Sequence, residues 1–327
     1  MATRLTIIGL GEVGTAFGYA LRSKTSQIIR TGYDRDRPAA QRAHGLGAVD
    51  EIHRDLIHSI KGSDVILLCL PLHEIQPLIA HIGPKLPNGV LVMDTSPAKA
   101  FVAKWMREYL PQGCTYVGLL PALNLQPSLD DPSQMDNPLR QMPVFLAGLP
   151  GTPSSALETA ADLIVMAQAQ PVFTDIAELD GLAAGTFLLP ALASAVLFDV
   201  TAARPGWQEA RRTTGRPFAA LAMSAALIPP ESLHLGIFSN KEHFVRLLDE
   251  YSAALQVLRD QIDLAPASDE AANLLATLER AAEQTQRWRQ GRLTNQWDAN
   301  PLKLPEKQDI LSRWLGIRKK SRSDRAK

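Results

Sequence analysis

Three glycines and a carboxylate are the first residues able to do chemistry. Gly9, Gly11 and Gly14 stand as G-x-G-x-x-G, with Leu10, Glu12 and Val13 between them. At this spacing the first glycine permits a tight turn. The second lets backbone approach a pyrophosphate, and the third lets a helix pack closely on a strand. The free N–H groups of the helix that opens here face the phosphates. The context fits, because a short β-branched run precedes the glycines and helical periodicity follows. Twenty residues past Gly14, Asp34 ends the strand-like run QIIRTGYD. A carboxylate there accepts hydrogen bonds from ribose hydroxyls and repels a 2′-phosphate. The pattern therefore reads as a site for NAD. Arg35 and Arg37 follow Asp34 and could tolerate a phosphate, which keeps NADP open.

A second group of residues lies where later strands should end. SDVILLCLP ends near Leu70, Pro71 and His73. NGVLVMDTS ends near Asp94 and Ser96, with Lys99 just beyond. CTYVGLLPALN carries Leu120 and Asn124. In open α/β sheets, ligands sit at the carboxyl ends of the strands, so all three segments should border the cofactor. The last one poses a problem: it holds no histidine, carboxylate, lysine or arginine. The groups nearby that could move a proton or hold a charge are His73 and Lys99. The plainer readings are a surface histidine at a helix start and a solvated lysine on a first helical turn. Arg211, Arg212 and Arg216 form a cluster that could meet an acidic substrate, or simply a wet face. The remaining histidines and the two cysteines show no metal-ligand spacing, and no nucleophile elbow is present, so no metal site is expected.

Strand and helix signals alternate up to residue 174, which argues for α/β: a Rossmann-type, mostly parallel sheet with antiparallel additions at its end. The strands are expected at 63–71, 88–96, 114–120, 142–148 and 170–174, with Pro97 opening the helix AKAFVAKWMREYL. Beyond residue 175 the pattern is helical, including one long amphipathic helix over 231–262 and another over 268–290. The expected organisation is a dinucleotide-binding domain at 1–174, a helical substrate and dimerisation domain at 175–295, and a loose basic tail at 296–327 with a short helix near 307–316. The segment 181–198 carries no charge and is nearly long enough to span a bilayer. Asp180 and Asp199 flank it, and no Lys or Arg cluster marks a cytoplasmic side. A helix buried on all sides, part of a homodimer, is the reading adopted. The chain of 327 residues has a formal net charge of zero, 46% apolar and 21% charged residues. No global field therefore draws it to nucleic acid or to an acidic membrane. Two cysteines in apolar runs and no signal-peptide pattern point to a cytoplasmic protein.

The order of these pieces, over residues 4 to 262, resembles the prephenate/arogenate dehydrogenase family of tyrosine biosynthesis, which has a 6-phosphogluconate-dehydrogenase-like architecture. IIGLGEVG and DVILLCLPLHEI are similar to that family's first and later strand ends. MDTSPAK resembles its Asp-x-x-Ser-x-Lys segment, keeping Asp94 and Lys99 and placing Pro97 at the serine. LDGLAA…LLP resembles its His-Asp-x-x-x-Ala…Leu-Pro helix, and LGIFSNKEHFVRLLDEYSAALQVLRDQI its last helix, with Asn240. The resemblance implies NAD(P)-linked oxidative decarboxylation of a small acidic substrate. It also implies a histidine in Gly-x-His-Pro that holds the ring hydroxyl, a second histidine before the helix Asp, and a carboxylate-binding arginine. Here Leu120, Leu179 and the neighbourhood of Ser224 occupy those places. Three polar positions have become apolar or neutral, so the pocket is expected to be altered and the strand edge to be an apolar wall beside the nicotinamide. The competing expectations are a dinucleotide-binding protein without turnover, serving as sensor or partner subunit, and a dehydrogenase acting on another small hydroxy acid or imine.

Overall fold

The computed structural model describes residues 2–24, 27–123, 137–264 and 268–294. It opens with β1 (Thr3–Ile8), α1 (Glu12–Ala20), β2 (Ile28–Tyr33), α2 (Arg37–Gly45), β3 (Glu51–Ile52), α3 (Leu56–Ile60) and β4 (Val65–Leu68). It continues through α4 (Leu72–Ile82), β5 (Leu91–Asp94), α5 (Lys99–Tyr109), β6 (Thr115–Pro121), β7 (Pro143–Gly148), α6 (Ser154–Met166) and β8 (Gln170–Phe173). The helical part follows: α7 (Ile176–Ala183), α8 (Leu189–Ala202), α9 (Trp207–Ala210), α10 (Arg216–Ala226), α11 (Pro230–Ser239), α12 (Lys241–Leu264) and α13 (Ser268–Thr294).

The eight strands form one sheet in the order β3-β2-β1-β4-β5-β6-β7-β8. Every pairing is parallel except β6 with β7, so the last two strands run against the rest, as the sequence suggested. Strands β4 and β5 are buried along their whole length. That is why they read as unbroken apolar runs: helices cover both faces. One core layer joins Leu5, Ile7, Phe17, Leu67, Met93 and Val117 to α6. The other joins Ile66, Leu68 and Val92 to α4 and α5. The strand order reverses beside β1, between β1 and β4, and this switch point is where such sheets bind ligands.

The chain divides into two compact units, residues 1–274 and 275–327. The change from sheet to helices near residue 175 is a change of secondary structure inside the first unit, not a break in packing. Helix α7 packs on α5, and α11 packs on α4. The tail helix expected near 307–316 lies outside the described residues.

Several expectations need correction. The helix after Pro97 begins at Lys99, because Ser96 is held in a turn by Asp94. The long helix expected over 231–262 is two helices. Asn240 separates them, its backbone (φ −138, ψ 57) leaving the helical region. The apolar segment 181–198 is part of a continuous helical run, 176–202, with a π-helical turn at Ala184–Leu188. Pro190 follows that turn and has no N–H to donate to the preceding one. The widened turn absorbs the mismatch.

This run is long and apolar enough to cross a membrane by length and composition, with mean hydropathy 1.9. Within the single chain it lacks the all-round burial that the sequence led us to expect: 28% of its most apolar window is covered. Helix α10 packs along α8, and the aromatic rings of Phe198, Trp207 and Phe218 cluster at one end. Phe187, Val196 and Val200 stay exposed, as do Leu221, Met223 and Leu227 in and just after α10.

Candidate dinucleotide site and the buried charge cluster beside it

The glycine loop joins β1 to α1. Gly9 has φ +92, and a Cβ there would sit 2.3 Å from the Cys69 carbonyl oxygen. A Cβ on Gly14 would sit 1.9 Å from the carbonyl oxygen of Gly9. Both positions therefore exclude any side chain. Gly11 differs: a Cβ there would meet nothing within 4 Å. Gly11 and Glu12 are exposed, Val13 is half-buried, and no side chain caps the N-terminus of α1. Open space in front of uncapped N–H groups suits a pyrophosphate.

Asp34 stands at the end of β2, half-buried. Its Oδ2 accepts the Leu10 N–H at 2.7 Å, and its Oδ1 accepts the Asp36 N–H at 2.8 Å. The carboxylate thus braces the glycine loop and keeps lone pairs for a ribose. On the other side of the turn, Leu70 packs against Gly9, and Pro71 caps α4. These residues fit a dinucleotide. Arg35 is not free; its guanidinium pairs with Glu74 of α4 at 2.7 Å.

The end of β5 is organised differently. Asp94 is 0% exposed. Its Oδ2 accepts from Ser96 N–H (2.8 Å), Ser96 Oγ (2.5 Å) and Lys99 Nζ (2.8 Å), and its Oδ1 from the Tyr116 hydroxyl (2.5 Å). Lys99 Nζ also donates to the Asp94 carbonyl at 3.0 Å and is 1% exposed. Asp94, expected at the cofactor, and Lys99, expected at the substrate, are buried here and bonded to each other, with no side-chain surface left open. Nor is Lys99 the solvated lysine of the plainer reading. Burial pulls its ammonium below the ordinary lysine range, against the pull of Asp94. Burial, then the Asp94 charge, push the Tyr116 hydroxyl well above its usual range.

Gly118 makes this arrangement possible. It pairs with Asp94 across β5 and β6, and a Cβ there would lie 2.8 Å from Lys99 Cδ and 2.9 Å from the Tyr116 hydroxyl. A second carboxylate, Asp180 of α7, closes the cluster. It accepts the N–H groups of Lys99 and Ala100, the latter at 3.0 Å, and so caps α5 from another helix. The local residue at that cap, Ala98, has no side chain able to do so. Burial raises the Asp180 carboxyl, and these two N–H groups oppose it.

Leu120 and Leu179 meet in one apolar cluster with Ala147 and Ala183. Leu179 is fully buried and Leu120 is 7% exposed. His73 is half-buried, its Nδ1 2.8 Å from Ser232 Oγ of α11. Asn240 ends α11, and Ser224 is half-buried in α10. Asn124 lies outside the described residues. Arg211, Arg212 and Arg216 are exposed around the start of α10.

Sequence reasoning missed Tyr116 and the trans cap at Asp180. Tyr116 had a signal, a polar tip two residues before a strand glycine. The cap had none, since it depends on residues 81 apart. Also missed was Glu74, which follows His73 and reaches Arg35.

A parallel sheet with a glycine-rich turn at its switch point, a carboxylate after β2 and an appended helical part define a dinucleotide-binding protein of Rossmann type. Residues 17–170 match the family described as prephenate dehydrogenase, nucleotide-binding domain. That stretch of the chain is thus similar to the nucleotide-binding domain of prephenate dehydrogenases, the family the motifs suggested. Over 107 residues it is 28% identical to the cyclohexadienyl dehydrogenase of Zymomonas mobilis, covering 33% of this chain and 36% of that protein. Over 118 residues it is 27% identical to a probable arogenate/prephenate dehydrogenase of Methanocaldococcus jannaschii, covering 35% and 26%. These matches span about a third of the curated relatives or less. The fold is similar to that of Aquifex aeolicus prephenate dehydrogenase, solved with hydroxyphenyl propionate and NAD+ (TM-score 0.71, 17% identity, 88% of this chain and 98% of that one). It is also similar to Synechocystis arogenate dehydrogenase (TM-score 0.63, 19% identity, 88% and 100%).

Removing Lys99 while leaving Asp94 would strand a carboxylate out of water. Lys99→Met should cost about 3 kcal/mol, the lower end for breaking a buried pair, since Ser96 and Tyr116 still donate to Asp94. The double change Lys99→Met, Asp94→Asn should recover part of that loss. Urea denaturation of the three proteins measures both effects.

Proposed function

We propose that the chain is an NAD-linked dehydrogenase of the prephenate/arogenate type whose substrate pocket has been rebuilt. The observation that carries this is the burial of Leu120 and Leu179 in one apolar cluster. By the resemblance, these two places hold histidines. A histidine that binds a reacting hydroxyl needs a polar, reachable position, and here that position is filled with hydrocarbon. Bound NAD would accept hydride. The chain's own part begins at the glycine loop, where Gly11 and the start of α1 hold the pyrophosphate and Asp34 holds the ribose. Leu70 and Pro71 border the same turn. His73, half-buried in the first turn of α4 and hydrogen-bonded to Ser232, is the group proposed to handle the proton at this edge. Ser96, Asn124, Ser224 and Asn240 belong to the proposed pocket region, which would take a small acidic molecule different in shape or polarity from prephenate.

The leucine pair also favours a second reading, a dinucleotide-binding protein without turnover. Steady-state assays with prephenate and with arogenate, using NAD and NADP, separate the two. Turnover should be slow or undetectable, since losing a positioned acid or base typically costs ~100- to 10,000-fold. Turnover of tens per second that survives His73→Ala would show that the true hydroxyl-binding group lies elsewhere.

Asp34→Ala should weaken NAD binding by about 1–3 kcal/mol, because it removes ribose hydrogen bonds and the brace on Leu10 N–H together. Calorimetric titration reads the change. Equal or tighter NADP binding by the unaltered chain would overturn the assignment of Asp34.

The exposed apolar surfaces of α8 and α10 support a soluble homodimer formed through the helical part. A face this apolar on a single chain calls for a covering surface. Sedimentation at micromolar concentration should give a dimer. A stable monomer, or a requirement for detergent, would reject this assembly.

A further inference from the structure

Resting on the reading of the loop as an NAD site, we propose that Glu74 is a specificity-determining residue: it engages Arg35 and so denies that cation to a 2′-phosphate. Arg35 directly follows Asp34, beside the adenosine ribose, and an arginine near that carboxylate is what accommodates the phosphate of NADP. Its side chain is 76% exposed, and the Glu74 carboxylate holds it, with Arg35 Nη2 2.7 Å from Glu74 Oε1. Glu74 is the better anchored partner. Its side chain is 18% exposed, it sits in the first turn of α4, and its N–H donates to the Pro71 carbonyl. The same Oε1 lies 3.8 Å from His73 Nε2, and that ring is held by Ser232. The pair thus spans from the end of β2 to the start of α4, across the adenosine side of the switch point.

The local charge points the same way. Asp34, Asp36 and Glu74 balance Arg35, Arg37 and Arg42, with Arg35 paired to Glu74 and Asp36 3.9 Å from Arg42, so no net positive charge awaits a phosphate here. A phosphate of nearly two negative charges would meet the Asp34 carboxylate and a guanidinium already neutralised. Replacing Glu74 with an uncharged residue of the same shape removes the competitor and releases Arg35. Exposed pairs of this kind are weak, so the change should be modest but directional.

The test is calorimetric titration of the full chain with NAD and with NADP, for the unaltered protein, Glu74→Gln, and Glu74→Gln with Arg35→Ala. Glu74→Gln should raise the ratio of NADP to NAD affinity by about 2- to 5-fold at low salt. The gain should shrink at high salt and vanish when Arg35 is also removed. An unchanged ratio in Glu74→Gln, or a gain that survives without Arg35, overturns the proposal while leaving the NAD site intact. If the unaltered chain binds neither dinucleotide, the site reading falls and this proposal falls with it.

Discussion

The ion pair of Asp94 and Lys99 is the constraint around which the middle of this molecule is arranged. Two charges removed from water are costly unless each remaining lone pair and proton is satisfied. Here Asp94 receives donors from Ser96, Lys99 and Tyr116, and Lys99 reaches both the carboxylate and the carbonyl of Asp94. That geometry fixes other choices. Gly118 must lack a side chain, α5 must start at Lys99, and the start of α5 must find its cap elsewhere. It finds it on Asp180, which ties α7 of the helical part to the start of α5. A single buried carboxylate thus explains a strand glycine, a helix boundary and a joint between sheet and helices.

The same cluster shows how polarity is distributed in the chain. Ionisable groups near β5 and β6 point inward, where they hold structure together. The adjoining strand end, at Leu120, is apolar and closed by Leu179. The glycine loop is the reverse. Its backbone is exposed, α1 is uncapped, and its one carboxylate keeps bonding capacity in reserve. One edge of the sheet is therefore prepared for a polar ligand, and its neighbour is prepared to exclude water.

Local features were legible in the sequence. The glycine spacing, the carboxylate at Asp34, the parallel order of the strands and the antiparallel pair at the end all follow from short-range patterns. The sequence also showed that Leu120 and Leu179 occupy unusual places, but not that they share one apolar cluster, because they belong to a strand and a helix that meet only in the fold. Lys99 was misjudged for a related reason. A lysine on a first helical turn is normally solvated, and only Asp94 five residues earlier, with Gly118 opening space from another strand, draws it inside. The break at Asn240 was hidden because the apolar spacing continues on both sides of it. The coverage of the 181–198 helix was misread because composition reports what a helix would bury, not what is there to bury it.

The last strand, β8, lies at one rim of the sheet, and it contains Pro171. Gln170 N–H donates to the Met142 carbonyl and Thr174 N–H to that of Leu146, so the even-numbered residues face β7. Pro171 therefore stands on the outward side, where an incoming chain would look for a donor and find none. The opposite rim, β3, is only two residues long. Neither border offers a template for adding strands, which guards the sheet against edge-to-edge aggregation. Lateral growth of the sheet is thereby disfavoured as a means of self-association.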